Sequence, residues 1–210
     1  MSDATGFIST LDNYPRTILG HYPTPIDSAP NFSQTLGIEL HIKRDDCTGL
    51  AFGGNKARQL EYYLGEAQNN DADTILITGA VQSNFVRMAA AAARRMGMEI
   101  HIQLEERVAN TNPSYQNSGN VLLDRLLGAH LSTFHVGEDE SAADRSLDEK
   151  ADALRKLGRR PYVIHLGIDH PPIGALGYVQ AAVELDQQWK AGAMAFDAIV
   201  VASGSGLTHG

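Results

Sequence analysis

A lysine that directly follows a glycine pair is the first residue whose surroundings could support chemistry. The segment Gly53-Gly54-Asn55-Lys56-Ala57-Arg58 predicts a tight turn and then a helix, with Asn55 as the N-cap and Lys56 in the first turn. The partial positive charge of a helix N-terminus would depress the pKa of Lys56 and so favour the free amine that a Schiff-base lysine needs. For this segment alone, a solvated lysine at the start of a surface helix is the commoner alternative.

A second polar segment lies where a predicted strand passes into a helix, at Thr78-Gly79-Ala80-Val81-Gln82-Ser83-Asn84. Backbone N–H groups at such a junction suit a carboxylate, and Ser83 and Asn84 add a hydroxyl and an amide at the same place. The alternative is a purely structural one, in which Ser83 or Asn84 only caps the helix.

The third segment is glycine-rich and follows an apolar run, at Ser203-Gly204-Ser205-Gly206-Leu207-Thr208-His209-Gly210. Successive backbone amides in such a loop form a concavity for phosphate, with the hydroxyls of Ser205 and Thr208 as further donors. The third glycine falls one position too late for a dinucleotide fingerprint. The pattern therefore favours a single phosphate group over a nicotinamide dinucleotide, with a simple turn as the alternative.

Alternating strands and helices must position these three segments. The period-2 and apolar segments predict strands over 38–43, 74–77, 99–104, 130–134, 162–165 and 198–201. Helical periodicity predicts helices over 26–36, 56–68, 84–96, 120–127, 141–157 and 174–190. This alternation predicts an α/β fold in which helices cover both faces of a parallel sheet.

Composition excludes several classes of protein. The chain has 210 residues, and 17 Lys and Arg against 25 Asp and Glu give a net charge of −8, which argues against a nucleic-acid partner. Cys47 is the single cysteine, so no disulfide can form within the chain. No signal peptide or membrane-length apolar run is visible, which predicts a cytoplasmic protein without a membrane partner. The eight histidines lack the short ligand spacing of a zinc site, so no metal is expected.

Taken together and in this order, the three segments resemble those of the pyridoxal-phosphate enzymes of the tryptophan synthase β fold. The branch is that of D-cysteine desulfhydrase, L-cysteate sulfo-lyase and 1-aminocyclopropane-1-carboxylate deaminase. The resemblance covers nearly the whole chain and extends to the segments 23–25, 42–46, 119–128 and 174–178. It implies a fold-type II three-layer sandwich, with a large cofactor domain from 1–52 and 163–210, a small domain inserted at 53–162, and a missing C-terminal part.

The resemblance also implies the role of each segment. Lys56 would hold pyridoxal 5′-phosphate and move the proton at the substrate α-carbon, with Ser83 assisting proton transfer. Asn84 would hydrogen-bond the 3′ oxygen of the cofactor, whose chemistry is that of an electron sink. The substrate carboxylate would be bound by Gln82, Ser83 and Asn84. The phosphate would be held by Gly204, Ser205, Gly206, Leu207 and Thr208.

The activity implied is a carbon–sulfur lyase that removes the β-sulfur group of L-cysteate or D-cysteine and yields pyruvate and ammonia. Phe85 stands where desulfhydrases commonly have His and the deaminases Gln, which favours the L-cysteate branch. Leu207 replaces a usual glycine and would crowd the phosphate loop. The alternatives are a 1-aminocyclopropane-1-carboxylate deaminase and a truncated, non-catalytic remnant. The partners expected are a small amino-acid substrate and, for the full-length form, a second copy in a homodimer.

Overall fold

The computed structural model of the chain describes residues 10–109, 112–137, 139–167, 169–192, 195–204 and 206–209. Within them the strands are β1 (Ile26–Ser28), β2 (His41–Lys43), β3 (Thr74–Ala80), β4 (Glu99–Glu105), β5 (His130–Phe134) and β6 (Pro161–Ile164). The α-helices are α1 (Pro30–Leu36), α2 (Lys56–Asn69), α3 (Asn84–Arg95), α4 (Pro113–Asn117), α5 (Gly119–Leu126), α6 (Glu140–Lys156) and α7 (Leu176–Gly192). Short 3₁₀ turns span Asp45–Thr48, Leu50–Phe52 and Ile173–Ala175.

The central sheet has four parallel strands in the order β5-β4-β3-β6. β3 lies inside the sheet, and its apolar side chains are buried on both faces, as expected for a parallel strand covered by helices. Ile75 and Ile77 point into the core that α2 and α3 share, whereas Leu76 packs against Leu147 of α6 on the other face. The predicted three-layer arrangement is confirmed.

The glycine-led helix α2 is held to α7 by a buried ionic cluster. Arg58 is 1% exposed and donates to Asp45 (Nη2–Oδ1, 2.8 Å) and Glu184 (Nη1–Oε2, 3.0 Å), and Lys43 also pairs with Glu184. Burial alone would raise the pKa of Glu184, but its bonds from Arg58 and Lys43 lower it to about 2. Gly177 permits the close approach of α7 to α2, since a Cβ at this position would lie 2.2 Å from the Arg58 carbonyl oxygen.

Two predictions about residues 26–43 need correction. The segment 26–36 is not one helix, because its first three residues form β1, which pairs antiparallel with β2, and the helix begins only at Pro30. Proline suits the first helical turn, since its missing N–H would have no partner there anyway. The strand predicted over 38–43 is confined to His41–Lys43.

The strand predicted over 198–201 is also wrong. In the part of the chain that the structure describes, no strand pairs with this segment, and Val200 is 96% exposed. A strand needs a neighbour to satisfy its backbone groups, so an apolar run without one remains irregular. Phe196, just before it, packs edge-on against Trp189 of α7. The domain boundaries at 52/53 and 162/163 stay a prediction.

Candidate active site

A left-handed backbone run leads into the helix that carries Lys56. The residues 51–54 have φ angles of 44°, 72°, 71° and 119°, a region that costs little only for glycine. A Cβ at Gly53 would lie 1.9 Å from the Asp46 carbonyl oxygen, so no other residue fits there without a shift. The N–H of Gly54 donates to Oγ1 of Thr48 at 2.8 Å. The loop therefore fixes the point at which α2 begins.

The amine of Lys56 lies in a half-buried position above an aromatic ring. Its Nζ donates to Oε1 of Gln59 at 3.2 Å and lies 5.5 Å from the ring centroid of Phe85. Burial lowers the pKa of Lys56. The predicted direction of the pKa shift is thus confirmed, but its cause is burial and not the field of the helix N-terminus.

The glycine-rich loop approaches the start of the same helix. Oγ1 of Thr208 accepts hydrogen bonds from Nδ2 of Asn55 at 3.0 Å and from Nε2 of Gln59 at 3.4 Å. Asn55 occupies the N-cap position, as predicted, but its side chain makes no capping bond and donates to Thr208 instead. Gln59 contacts both Thr208 and Lys56, so one side chain joins the loop to the amine.

The loop itself is open around its glycines. Gly206 has a φ of +85°, and a Cβ built at Gly204 or Gly206 would meet no atom of the described residues within 4 Å, adjoining residues aside. Leu207 and Thr208 are half-buried, and Ser205 lies outside the described residues. The backbone around Gly204 and Gly206 is accordingly free to receive an anionic group.

The polar turn after β3 is held by structural hydrogen bonds. Ser83 is the N-cap of α3, and its Oγ accepts from the backbone N–H groups of Phe85 and Val86. Nε2 of Gln82 donates to the carbonyl oxygens of Tyr115 and Ser118. The capping alternative is confirmed for Ser83, and it does not preclude ligand contacts by the remaining donors.

Asn120 and Arg87, which the sequence argument did not select, tie this turn together. Nδ2 of Asn120 donates to the Gln82 carbonyl oxygen at 2.8 Å and to Oδ1 of Asn84 at 3.0 Å. Nη1 of Arg87 donates to Oδ1 of both Asn84 (2.8 Å) and Asn120 (2.7 Å). Gly119 allows the approach, because a Cβ there would lie 2.6 Å from Oε1 of Gln82. In the sequence, Gly119 is the one feature that could have indicated this close contact.

Phe85 links the two halves of the candidate site. It occupies the first turn of α3 directly after Asn84, and its ring lies beneath the Lys56 amine. The ring also packs edge-on against Tyr63 of α2, with centroids 6.3 Å apart. A half-buried amine of lowered pKa, near an open glycine loop, is suited to attack a carbonyl carbon on a small anionic molecule.

Comparison with known proteins gives close relatives over most of the chain. A D-cysteine desulfhydrase from Klebsiella pneumoniae subsp. pneumoniae is 41% identical over 202 residues, which cover 96% of this chain and 60% of the relative. A solved ACC deaminase homologue superposes with a TM-score of 0.83 at 37% identity, covering 98% of this chain and 60% of that one. The chain thus spans about 60% of the length of these relatives.

More distant structures share the fold alone. The apo form of diaminopropionate ammonia lyase from Escherichia coli has a TM-score of 0.60 at 18% identity, over 85% of this chain and 50% of that one. The predicted fold-type II architecture is confirmed by these matches. The model of the family described as "Pyridoxal-phosphate dependent enzyme" matches residues 17–210. The chain therefore belongs to the pyridoxal-phosphate dependent enzyme family, and pyridoxal phosphate is the cofactor this membership implies.

Proposed function

We propose that the protein is a pyridoxal-phosphate-dependent carbon–sulfur lyase that eliminates the β-sulfur group of a cysteine-like amino acid. The observation that carries the proposal is the pair of hydrogen bonds from Asn55 and Gln59 to Thr208. These bonds bring the glycine loop beside the lysine, so that one small molecule can contact both. The D-cysteine desulfhydrase relative supports the reaction class.

The residues present fit the cofactor. Its aldehyde would meet the Lys56 amine, whose lowered pKa favours the reactive neutral form. Its phosphate would be held by the backbone of the loop from Gly204 to Thr208 and by the hydroxyls of Ser205 and Thr208. Beyond the adjoining residues, no described side chain lies within 4 Å of a Cβ built at Gly204 or Gly206. Asn84 would donate to the 3′ oxygen through its amide nitrogen, since its Oδ1 already accepts from two donors.

Each side chain then has a defined task in the elimination. When bound, pyridoxal phosphate would supply an electron sink that acidifies the proton on the substrate α-carbon. Lys56 accepts that proton, and its half-buried position keeps the competing bulk water away. Gln82, Ser83 and Asn84 bind the substrate carboxylate at the N-terminus of α3, where the helix dipole favours negative charge. Ser83 also assists proton transfer.

L-Cysteate is the substrate we favour, with D-cysteine as the alternative. The mouth of the site near Asn84 contains an aromatic ring, Phe85, at a position where a histidine would supply a polar group for the smaller thiol substrate. In either case β-elimination and hydrolysis release pyruvate and ammonia, together with sulfite from L-cysteate or sulfide from D-cysteine.

A second candidate is the ring-opening deamination of 1-aminocyclopropane-1-carboxylate to 2-oxobutyrate and ammonia. The solved ACC deaminase homologue favours it, because that structure covers 98% of this chain at a TM-score of 0.83. The same lysine and glycine loop would serve both reactions, so the product distinguishes them.

The test is to assay the purified chain, supplied with pyridoxal phosphate, against the three substrates. We expect a visible cofactor absorption band and pyruvate from L-cysteate or D-cysteine. Lys56→Ala should remove the band and reduce turnover by about 10³-fold or more. Lys150→Ala is the matched control, because Lys150 is another half-buried lysine whose pKa burial lowers, and it should keep both signals.

Two outcomes would overturn the proposal. Formation of 2-oxobutyrate without pyruvate would assign the deaminase reaction instead. A folded chain that neither binds the cofactor nor turns over any substrate would identify a non-catalytic remnant.

A further inference from the structure

Two histidines and a glutamate meet at the edge of the sheet where the parallel strands begin. His101 of β4 and His130 of β5 are register partners, so their side chains emerge side by side, and the rings stack with centroids 4.6 Å apart. Glu99 precedes His101 by two positions and therefore points to the same face. Its Oε1 lies 3.1 Å from Nε2 of each histidine.

We propose that Glu99, His101 and His130 form a binding site for a divalent transition-metal ion of the zinc class. The potential ligand atoms of the three residues all lie within 4.8 Å of one another. Ligands about 2.0–2.1 Å from a tetrahedral zinc ion are separated from each other by about 3.3–3.5 Å. The two carboxylate–imidazole spacings of 3.1 Å are within a few tenths of an ångström of this value, and the ligand atoms of the two histidines lie within 4.8 Å of each other.

The donor set is selective for the metal class. Two imidazole nitrogens and one carboxylate oxygen suit zinc, nickel and copper, whereas magnesium and calcium prefer oxygen ligands alone. Three protein ligands leave the remaining coordination position for water, and the side chain of His130 is 59% exposed, so solvent and ions can reach the site.

The neighbouring charges leave one carboxylate oxygen available. Nη2 of Arg159 pairs with Oε2 of Glu99 at 2.7 Å, which fixes the orientation of the carboxylate and directs Oε1 to the histidines. Lys150 of α6 lies nearby, and its Nζ donates to Oε1 of Gln103 at 2.9 Å and to Oγ of Ser132 at 2.6 Å. These two cations would weaken the site without occupying its ligand atoms.

The site is separate from the candidate active site. Glu99 is paired with Thr74 at the start of β3, whereas Gln82, Ser83 and Asn84 follow the end of that strand. Seven strand residues lie between, a length of about 20 Å at 3.3 Å per residue. Histidine spacing along the sequence predicts no zinc site. His130 follows His101 by 29 positions and is brought beside it only by the pairing of β4 with β5.

Among the described residues, no other histidine belongs to a group of three with this ligand spacing. His135 pairs with Glu106, and His165 stacks on His170 beside Asp148. His135 and His165 thus provide matched controls, because the ligand atoms around each of them do not form a described group of three within 4.8 Å of one another.

The test is calorimetric titration of the chain with Zn²⁺ after chelator treatment, with Co²⁺ absorption as a second readout. A Cys47→Ser background removes the exposed thiol as a competing ligand. We expect one equivalent of Zn²⁺ to bind with micromolar or tighter affinity and Co²⁺ to give visible ligand-field bands. His130→Ala, the variant with the least effect on packing, and His101→Ala should each weaken binding at least tenfold, whereas His135→Ala and His165→Ala should not.

Unchanged Zn²⁺ affinity in the folded His130→Ala protein would overturn the proposal, as would the absence of any stoichiometric binding by the parent chain. Thermal unfolding in chelator establishes that each variant is folded. Because apo protein without pyridoxal phosphate is used, the result is independent of the proposed lyase activity.

Discussion

Asn55 and Thr208 are joined by a hydrogen bond of 3.0 Å, from the residue before Lys56 to the glycine-rich loop 153 positions later in the chain. Gln59, one turn further along α2, donates to the same hydroxyl and accepts from Lys56. The loop is therefore attached to the face of α2 that carries the amine. In this arrangement a cofactor would be bound at its two ends by segments far apart in sequence.

Replacement of Thr208 by valine should weaken cofactor binding. Valine keeps the shape but cannot accept from Asn55 and Gln59, so the loop loses its attachment to α2. The loss of about 1–1.5 kcal/mol expected for such hydrogen bonds corresponds to an affinity about 5–15-fold lower. Titration followed by the absorption of pyridoxal phosphate measures it. Thr35→Val, which removes a surface hydroxyl bonded to the Asn31 carbonyl, should leave the affinity unchanged.

Truncation of Phe85 should raise the pKa of Lys56. The ring excludes water beneath the amine, and Phe85→Ala admits it, whereas Phe85→Leu keeps an apolar side chain in place. The pH dependence of the rate at which the cofactor band forms reports the fraction of neutral lysine. We expect the profile to move to higher pH in the alanine variant alone. Identical profiles for the two variants would show that burial by Phe85 does not govern this pKa.

Loss of Asn120 should impair substrate binding without unfolding the protein. Its side chain bridges Gln82 and Asn84, so Asn120→Ala frees the turn proposed to bind the substrate carboxylate. A decrease in kcat/KM of about 10–100-fold is expected from misplaced binding groups. Steady-state kinetics measures it, with Asn117→Ala as control, since Asn117 is an exposed asparagine bonded to the Pro113 carbonyl. An equal decrease in both variants would argue against the positioning role.

Asp124 should make the protein less stable as the pH rises. Burial raises its pKa to about 7 against the attraction of Arg87, and neither carboxylate oxygen has a hydrogen-bond partner among the described residues. Between the ordinary pKa of 3.8 and about 7, the folded state binds the extra proton, so the free energy of unfolding falls as pH increases through this window.

Asp124→Asn removes that dependence. Denaturant unfolding at pH 8 should show the variant to be more stable than the parent by about 1–3 kcal/mol, with the difference vanishing near pH 4. Asp144→Asn is the contrasting control, because the buried Asp144 carboxylate accepts from the N–H groups of Leu166 and Gly167. That variant should be destabilised, since it loses an acceptor.

Local signals in the sequence predict much of this structure. The glycines at 53 and 54 locate the start of α2, and helical periodicity locates α3 and α6 to within a residue or two, because these features depend on neighbouring residues only. The parallel sheet follows from the alternation of the elements. The family resemblance selects Lys56 and the glycine loop, and the structure brings the two close together.

Contacts between distant segments could not be predicted in this way. Asn120 reaches Gln82 through the packing of α5 against α3, and His130 meets His101 through strand register. No short-range spacing pattern in the sequence indicates either contact. The apolar run 198–201 was predicted as a strand from composition, yet pairing depends on a neighbour that the described residues do not provide. The burial that lowers the pKa of Lys56 depends on packing between distant segments, which bring Phe85, 29 positions away, beneath the amine.

Asp45 contributes both to the backbone that precedes Lys56 and to the buried ionic cluster. Its carbonyl oxygen accepts the N–H of Gly54 at 2.9 Å, which helps to hold the left-handed run, and its carboxylate accepts from the buried Arg58. The backbone that leads into Lys56 and the ion pair that anchors its helix consequently share one residue. A substitution at Asp45 would therefore disturb both the ionic cluster and the loop that sets the position of the Lys56 amine.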